Sequence, residues 1–420
     1  MNQINIRNVF GGKERIIKHK SGCTIYLYPM GEFSSAYAIL GTKYGSVDTT
    51  FKTKYDDDYI TVPEGIAHYL EHKLFENDEC DAFELYAKTG ANANAFTSFD
   101  CTAYLFASTR EFNENLKILL NLVQQPYFTD ENVEKERGII TQEIKMYLDD
   151  PGTRVFYNCM GGIYHNNPAR IDIAGTVDSI QKIDKDLLYR CYNTFYNLNN
   201  MVLSIAGNFD PDEALKICDD LLICKDDPEI SVIVPDEPYE VREKRIVQKL
   251  TCAMPLFQLG FKIPYPTNTL KDYLAFNIML ETILGDASEF YSRMYESGLI
   301  NDSFGVGVSK GRGFFVPIAC GMSNNPDKVA EEIIKELEHF RNVGLPQNDI
   351  KTSIKMTYGE LFSFDNVEKV ARNSMTAHFE GRDLFSAAET AAALTYNDAM
   401  DVLNRLDFNN YCLSIIEPNN

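Results

Sequence analysis

The sequence lacks any long apolar run. No stretch approaches the roughly 18 apolar residues that a membrane-spanning helix needs, and the first residues, MNQINIRNVFGGKERIIKHKSG, contain no apolar segment typical of a secretory signal. Hydrophobic residues make up 45% of the 420 positions, which is typical of a globular protein with two or more cores. We therefore expect a soluble protein that is not secreted and has no membrane partner.

Paired cysteines are also missing. The ten cysteines are scattered along the chain, and none of them forms a CxxC pair. Their spacing therefore indicates neither a disulfide framework nor a thiolate metal site. A reducing environment fits this pattern, so we expect a cytoplasmic location.

Positive charge is scarce. The chain has 40 Lys and Arg against 61 Asp and Glu, which gives a formal net charge of -21. This balance argues against nucleic acid or an anionic membrane as a partner, because phosphate contacts require clustered Lys and Arg. Basic peptides would be attracted, although acidity that only maintains solubility explains the charge equally well.

One internal offset recurs in the sequence. The segment Asn199–Ile205 (NNMVLSI) returns as Asn409–Ile415 (NNYCLSI), 210 residues further on. Ile144–Met146 (IKM) returns as Ile354–Met356 at the same offset. Matches in the same order and in similar element types predict an ancient duplication.

The repeat sets the expected domain organisation. We expect an N-terminal domain at 1–225, a linker rich in proline and charge at 226–248, and a homologous C-terminal domain at 249–420. Apolar strand-like segments alternate with amphipathic helices such as 113–125, which predicts an α+β fold with helices packed on a largely antiparallel sheet. The segment 367–381 predicts a helix in the core of the second domain.

The clearest candidate for chemistry is the motif HYLEH. His68 and His72 are four residues apart on a predicted helix at 63–76, so both rings can reach one metal ion, and Glu71 lies close enough to act as a general base. The alternative is a helix that merely carries polar residues. The image of the motif at Ile278–Thr282 keeps the Leu and Glu but lacks both histidines, which indicates that the histidines are not needed for the fold.

A third ligand is expected from the segment that contains Glu136 and Glu143. These residues are seven positions apart, two helical turns, so their carboxylates point the same way. Hydrolytic zinc sites use three protein ligands and leave a fourth position for a water whose pKa falls to about 7. We expect Glu143 to ligate zinc and Glu136 to accept the outer N–H of a ligating histidine. The alternative is two solvated glutamates on an exposed face.

Together these residues resemble the pitrilysin/insulinase family of zinc endopeptidases, the inverzincins, and within it the catalytic chains of bacterial members similar to the mitochondrial processing peptidase. The family signature is HxxEH followed some seventy residues later by a zinc-binding Glu, with another Glu seven residues before it. Here Glu143 lies 71 residues beyond His72. The resemblance implies one zinc ion per chain, paired domains that enclose a chamber or cleft, and endopeptidase activity on small or unfolded peptides.

The resemblance extends to the segment Gly90–Phe106. In the family, an Asn-Ala pair on an edge strand of this segment binds substrate. That implies that Asn94 hydrogen-bonds a substrate carbonyl or the attacking water, and that Ala93, Ala95 and Phe96 pair with the peptide backbone. The alternative is an ordinary turn and the start of a strand.

In its second domain, this sequence departs from the family pattern at two positions. Several bacterial members hold the substrate with an Arg and, seven residues later, a Tyr around a Gly-Leu pair, but this sequence has Met294 and Asn301 at those positions. Neighbouring Arg293 and Tyr295 would point differently in a helix. We therefore expect a homologous, inactive partner chain that carries the Arg and Tyr, or else a homodimer. The alternative function is a non-catalytic or conditionally active subunit of a peptide-maturation complex.

Overall fold

The computed structural model describes residues 2–9, 12–76, 82–264 and 269–419. Within these residues the strands are β1 (Gln3–Val9), β2 (Gly12–Lys18), β3 (Thr24–Pro29), β4 (Ala36–Thr42), β5 (Thr50–Lys52), β6 (Ile60–Thr61), β7 (Asn92–Thr97), β8 (Thr102–Ser108), β9 (Met201–Gly207), β10 (Ser231–Val232), β11 (Arg245–Leu250), β12 (Leu256–Phe261), β13 (Gly305–Gly311), β14 (Phe314–Met322) and β15 (Tyr411–Pro418).

The α-helices are α1 (Ile66–Leu74), α2 (Ala82–Thr89), α3 (Phe112–Gln124), α4 (Asp130–Asp149), α5 (Pro151–Ile163), α6 (Val177–Ile180), α7 (Lys185–Phe195), α8 (Pro211–Leu221), α9 (Leu270–Leu284), α10 (Glu289–Glu296), α11 (Pro326–Val343), α12 (Gln347–Leu361), α13 (Val367–Phe379), α14 (Ser386–Ala393) and α15 (Tyr396–Asn404). Many of them begin at a polar cap; Asp150, for example, accepts a hydrogen bond from the Thr153 N–H and is followed by Pro151. No helix in this described part of the chain has both the length and the apolar character that crossing a bilayer requires.

The chain forms two compact units, which we call the N-terminal and the C-terminal unit. The N-terminal unit comprises Met1–Gln142, Ile173–Ile233 and Phe364–Leu384, and the C-terminal unit comprises Glu143–Asp172, Val234–Ser363 and Phe385–Asn420. Each unit therefore contains one segment from the other half of the chain. The halves predicted from the sequence, 1–225 and 249–420, do not coincide with these units.

The N-terminal unit is built on a seven-stranded sheet with the order β1-β2-β3-β9-β4-β8-β7. Its neighbouring strands are antiparallel except for the parallel pair of β3 and β9. The central strands β4 and β9 are buried along their whole length, as expected for strands that are covered on both faces. The strand β7 forms one end of the sheet.

The C-terminal unit repeats this arrangement. Its sheet has the order β11-β15-β12-β14-β13, which corresponds strand for strand to β3-β9-β4-β8-β7. The parallel pair also recurs at the same place, between β11 and β15. The helices α9, α11 and α15 pack together in its core. This confirms the predicted fold class, two homologous α+β domains with helices on largely antiparallel sheets.

Two exchanged helices explain why the units differ from the predicted halves. Helix α13 packs on β4 and β9 of the N-terminal unit, so the prediction that 367–381 belongs to the core of the second domain is wrong. Helix α5 packs on β12 and β15 of the C-terminal unit in the same way.

A glycine at matching positions admits each exchanged helix. A Cβ at Gly41 of β4 would lie 2.5 Å from Met375 Sδ of α13, and a Cβ at Gly260 of β12 would lie 2.9 Å from Cys159 Sγ of α5. The register makes the two glycines equivalent, because each pairs with the second residue of the central strand, β9 or β15. The absence of a side chain at each glycine leaves room for these sulfur-containing side chains of the helix.

Candidate metal centre

The helix that carries HYLEH begins later than the sequence predicts. Helix α1 spans Ile66–Leu74, so Pro63 and Glu64 precede it rather than form its first turn. Gly65 stands at its N-terminal end with a φ of 90°, and a Cβ there would lie 2.4 Å from the Ala174 carbonyl oxygen. The left-handed backbone and the close approach both require glycine, and they determine where the helix starts.

His68 and His72 lie on one face of α1. Their ring centroids are 4.5 Å apart, as expected for residues separated by one helical turn. The His68 side chain is only 9% exposed. Burial, and to a smaller extent the neighbouring His72, lowers the pKa of His68 to about 3. His68 is therefore a neutral imidazole near pH 7, the form that binds a metal ion.

Glu136 on α4 contacts His72. The His72 Nδ1 lies 2.9 Å from Glu136 Oε1, and both side chains are largely buried, with 25% and 12% exposed. A carboxylate only accepts hydrogen bonds, so the His72 Nδ1 carries the proton and donates a hydrogen bond to Glu136. The lone pair of His72 then lies on Nε2, where it is available to a metal ion.

The structure brings the third expected ligand to the two histidines. Ligand atoms of His68, His72 and Glu143 all lie within 4.8 Å of one another, and this is the one such group of His, Cys, Asp or Glu side chains in the part of the chain that the structure describes. The boundary between the units falls inside α4, just before Glu143. The helix nevertheless continues without interruption from Asp130 to Asp149, so the two-turn spacing from Glu136 to Glu143 is fixed by the helix itself.

The donor set fits a zinc ion. Zinc takes imidazole nitrogens and carboxylate oxygens at about 2.0–2.2 Å, which places the ligand atoms of a tetrahedral site about 3.4 Å apart. The group formed by His68, His72 and Glu143 supplies two imidazoles and one carboxylate at a separation that small side-chain movements would close. Three protein ligands leave a fourth position open, as in hydrolytic zinc sites.

Two further side chains hold the candidate site, and neither was predicted from the sequence. The Thr97 hydroxyl donates a hydrogen bond to Glu71 Oε2 at 2.7 Å, and the Tyr147 hydroxyl donates one to Glu143 Oε1 at 2.8 Å. Tyr147 could have been found, because it stands four residues after Glu143 on the same helix. Thr97 gives no such signal, because it lies on strand β7 and Glu71 on helix α1.

The predicted substrate-binding residues lie on the terminal strand β7. Ala93, Asn94, Ala95 and Phe96 are all within it. The Asn94 side-chain oxygen accepts a hydrogen bond from the Ala95 N–H at 2.8 Å. Arg372 of the exchanged helix α13 holds its guanidinium 4.7 Å from the centre of the Phe96 ring, a contact that the sequence did not indicate.

Of the two positions that depart from the family pattern, Met294 lies in helix α10 and Asn301 follows the end of that helix. Met294 is 2% exposed and belongs to the core of the C-terminal unit. Arg293 forms an ion pair with Glu336 at 2.7 Å, while Tyr295 is 52% exposed. The helical conformation agrees with the prediction that Arg293 and Tyr295 point differently from a pair placed at 294 and 301.

Comparison with known proteins follows the two homologous parts of the chain. Residues 55–177 match the family model described as insulinase (peptidase family M16), and residues 182–356 match the one described as peptidase M16 inactive domain. The uncharacterized zinc protease YmfH of Bacillus subtilis (strain 168) is 38% identical over 394 residues, which cover 92% of each chain.

Solved structures agree with this assignment. A chain described as an M16-like peptidase, from Alicyclobacillus acidocaldarius, superposes with a TM-score of 0.91 and 32% identity, covering 100% of this chain and 99% of that one. Pitrilysin, at 16% identity, shares the fold with a TM-score of 0.75, covering 99% of this chain and 45% of its own. The motif, the ligand group and these similarities lead to one conclusion: the chain belongs to the insulinase family of peptidases, family M16.

Proposed function

We propose that this chain is a zinc-dependent endopeptidase that hydrolyses peptide bonds in small or unfolded peptides. The single observation that carries the proposal is the group of His68, His72 and Glu143, whose ligand atoms lie within 4.8 Å of one another beside Glu71. The zinc-protease name of the B. subtilis relative supports it. A structural protein of this fold needs none of these side chains, because the second half of the chain forms the same fold without them.

The proposed mechanism gives each residue a separate role. His68, His72 and Glu143 would hold the zinc ion, which when bound would supply Lewis-acid chemistry to the scissile carbonyl and to a water. Glu71 takes a proton from the attacking water and delivers it to the leaving amine. Glu136 keeps the proton of His72 on Nδ1, so that Nε2 faces the metal ion.

The terminal position of β7 supports a mode of substrate binding. A peptide in extended form would add to β7 as a further strand, with backbone hydrogen bonds to Ala93 and Ala95 and contacts to Asn94 and Phe96. Backbone pairing requires that the paired segment of the substrate is unfolded, and it depends little on the amino-acid sequence of that segment. This is why small or unfolded peptides are proposed as substrates.

Assembly and location belong to the proposal as well. Met294 is buried where family members have the substrate-holding Arg, and Arg293 is engaged by Glu336. We therefore propose that the Arg and Tyr come from a homologous partner chain or from a second copy of this chain. A cytoplasmic location stays a prediction from the cysteine pattern.

A second candidate function is supported by the same departure. If the buried Met294 leaves this chain unable to hold a substrate, it would act as a non-catalytic or conditionally active subunit of a peptide-maturation complex. The match of residues 182–356 to the inactive-domain model is compatible with either function, because those residues do not include His68, Glu71, His72 or Glu143.

The experiment uses the purified full chain and a quenched fluorescent unstructured peptide. Endopeptidase function predicts cleavage that a chelator abolishes and added zinc restores, with one zinc per chain by elemental analysis. Glu71→Gln should retain the zinc and lower kcat by at least about 100-fold, since general-base catalysis contributes a factor of that order. Glu131→Gln, on the exposed start of α4, is the matched control and should cleave like the wild type.

The alternatives give different results. Full cleavage by Glu71→Gln would exclude the proposed mechanism. A wild-type chain that binds one zinc but cleaves only after a homologous chain is added would favour the conditionally active subunit. A chain that binds no zinc would favour a non-catalytic subunit.

A further inference from the structure

We propose that Thr97 is a positioning residue that couples the binding of a peptide at β7 to the placement of the base Glu71. The inference rests on the function proposed above and extends it. Thr97 is the last residue of β7, and its hydroxyl donates to Glu71 Oε2 at 2.7 Å. One residue therefore belongs both to the strand that would receive the substrate and to the hydrogen bond that holds the base.

The backbone N–H and C=O groups of Thr97 point away from β8, toward the open edge of the sheet. The β7–β8 hairpin is closed by a hydrogen bond from the Ser98 N–H to the Cys101 carbonyl at 2.8 Å, which makes Ser98 and Cys101 a hydrogen-bonded pair. Such pairs alternate along an antiparallel ladder, so the next pair, Thr97 with Thr102, directs its backbone groups outward. An added peptide strand would thus pair with the backbone of Thr97 itself.

Ala95 provides an independent check of this alternation. Because Ala95 lies two residues from Thr97, its N–H must also point outward, and it donates a hydrogen bond to the side-chain oxygen of Asn94 at 2.8 Å. The outward N–H groups of β7 therefore include Ala95 and Thr97. The Asn94 side-chain oxygen accepts the hydrogen bond from the Ala95 N–H. A carbonyl of a bound peptide would replace that oxygen as the acceptor.

The hydroxyl of Thr97 is held in a defined direction. Its cross-strand neighbour Thr102 is fully buried and donates to the Tyr44 carbonyl at 2.9 Å. A β-branched side chain has few χ1 choices, and the close approach of a pair without backbone hydrogen bonds restricts them further. Because a carboxylate only accepts, the Thr97 hydroxyl must donate to Glu71. A peptide that pairs with β7 and fixes the position of Thr97 would then also fix the carboxylate of Glu71 through this hydrogen bond.

The test compares Thr97→Val with Thr97→Ser. Valine keeps the shape and the strand preference but removes the hydroxyl, whereas serine keeps the hydroxyl. Loss of one hydrogen bond to a charged group should lower kcat of Thr97→Val by about 10- to 100-fold, with KM within about twofold of the wild type. Thr97→Ser should recover most of kcat. Both variants should retain one zinc per chain.

Two measurements do not depend on catalysis. Anisotropy of a labelled unstructured peptide on the metal-free protein should show equal affinity for Thr97→Val and wild type, because the backbone of β7 is intact. A double-mutant cycle of urea unfolding with Glu71→Ala should show that Thr97→Val has no further effect once Glu71 is removed.

Several results would overturn the inference. These are a wild-type kcat in Thr97→Val, an equal defect in Thr97→Ser, a loss of peptide affinity that parallels the loss of kcat, or additive effects in the double-mutant cycle. Failure of the proposed function looks different, because the wild-type chain itself would then not cleave. The double-mutant cycle would still report whether Thr97 and Glu71 are coupled.

Discussion

The hydroxyls of Thr282 and Ser353, two residues 71 positions apart, lie 3.0 Å from each other and share a hydrogen bond. His72 and Glu143 are separated by the same 71 positions, each 210 residues earlier in the chain. The second half thus places a hydroxyl pair where the first half places two of the proposed metal ligands. Ile278, 1% exposed, takes the place of His68. The packing of these helices therefore does not depend on the ligands.

This relationship predicts the result of replacing the ligands with their counterparts. The variant His68→Ile with His72→Thr and Glu143→Ser should fold, because the same residues are compatible with the same helix pair in the second half. We expect its circular dichroism and its thermal midpoint to match those of the metal-free wild type closely, with zinc absent by elemental analysis. A variant that fails to fold would show that the ligands themselves are needed for the packing of α1 on α4.

Removal of Glu136 should weaken zinc binding without unfolding the protein. The carboxylate holds His72 in the tautomer that leaves Nε2 for the metal. Loss of such an outer partner lowers metal affinity by about 10- to 100-fold. Glu136→Ala should show this decrease in a competition titration with a chromophoric chelator. Glu131→Ala, on the exposed face of the same helix, should bind zinc with wild-type affinity.

A methyl group at Gly65 should disturb α1. Gly65→Ala forces alanine into a backbone with a φ of 90° and brings its Cβ to 2.4 Å from the Ala174 carbonyl. We expect a loss of about 1–3 kcal/mol in the free energy of urea unfolding, together with weaker zinc binding.

Gly138 of α4 provides the matched control. A Cβ at Gly138 would meet nothing within 4 Å. Gly138→Ala should therefore stabilise the protein by about 0.5–1 kcal/mol, the usual gain from alanine in a helix interior. Equal effects at both glycines would show that the conformation of Gly65 is not what fixes the start of α1.

Glu237 should make the stability of the C-terminal unit depend on pH. Burial acts to raise the pKa of this carboxyl, but the N–H groups of His165, Asn166 and Asn167, together with Lys262, hold it below its ordinary value of 4.5. A depressed pKa in the folded state means that the stabilisation is complete above the unfolded pKa and is lost as the pH falls through the folded value.

Glu237→Gln removes the charge and should therefore cost about 1–3 kcal/mol in urea unfolding at pH 7. The difference from the wild type should decrease as the pH falls below 4.5. Glu240→Gln, an exposed neighbour in the same segment, should unfold like the wild type at both pH values. A difference that stays constant with pH would show that the charge of Glu237 is not what stabilises this segment.

The ligand set could be predicted because its spacing is local. The four-residue step from His68 to His72 and the seven-residue step from Glu136 to Glu143 are periods of a single helix, which backbone hydrogen bonds fix regardless of the rest of the fold. The start of α1 could not be predicted in the same way. It depends on how closely the backbone at Gly65 approaches Ala174, a residue more than a hundred positions away.

The exchange of α5 and α13 between the units could not be predicted from the sequence for a similar reason. The apolar residues of α13 suit either unit, and which sheet they cover is decided by contacts such as Tyr28 with Ser374, whose hydroxyls lie 3.0 Å apart across 346 positions. The glycines at 41 and 260 admit the exchanged helices, but a glycine in a strand has several explanations before the packing is known.

The sequence by itself determined the chemistry of this protein: two imidazoles and two carboxylates at helical spacing, a glutamate beside them, and a second half that repeats the fold without them. The tertiary structure alone decided which of the two histidines Glu136 contacts, that Thr97 on a terminal strand donates a hydrogen bond to Glu71, and that α5 and α13 exchange between the units. The physical reason is how far apart in the sequence the interacting residues lie. Helical spacing follows from hydrogen bonds within one turn, whereas contacts between strands and helices depend on how distant residues pack together.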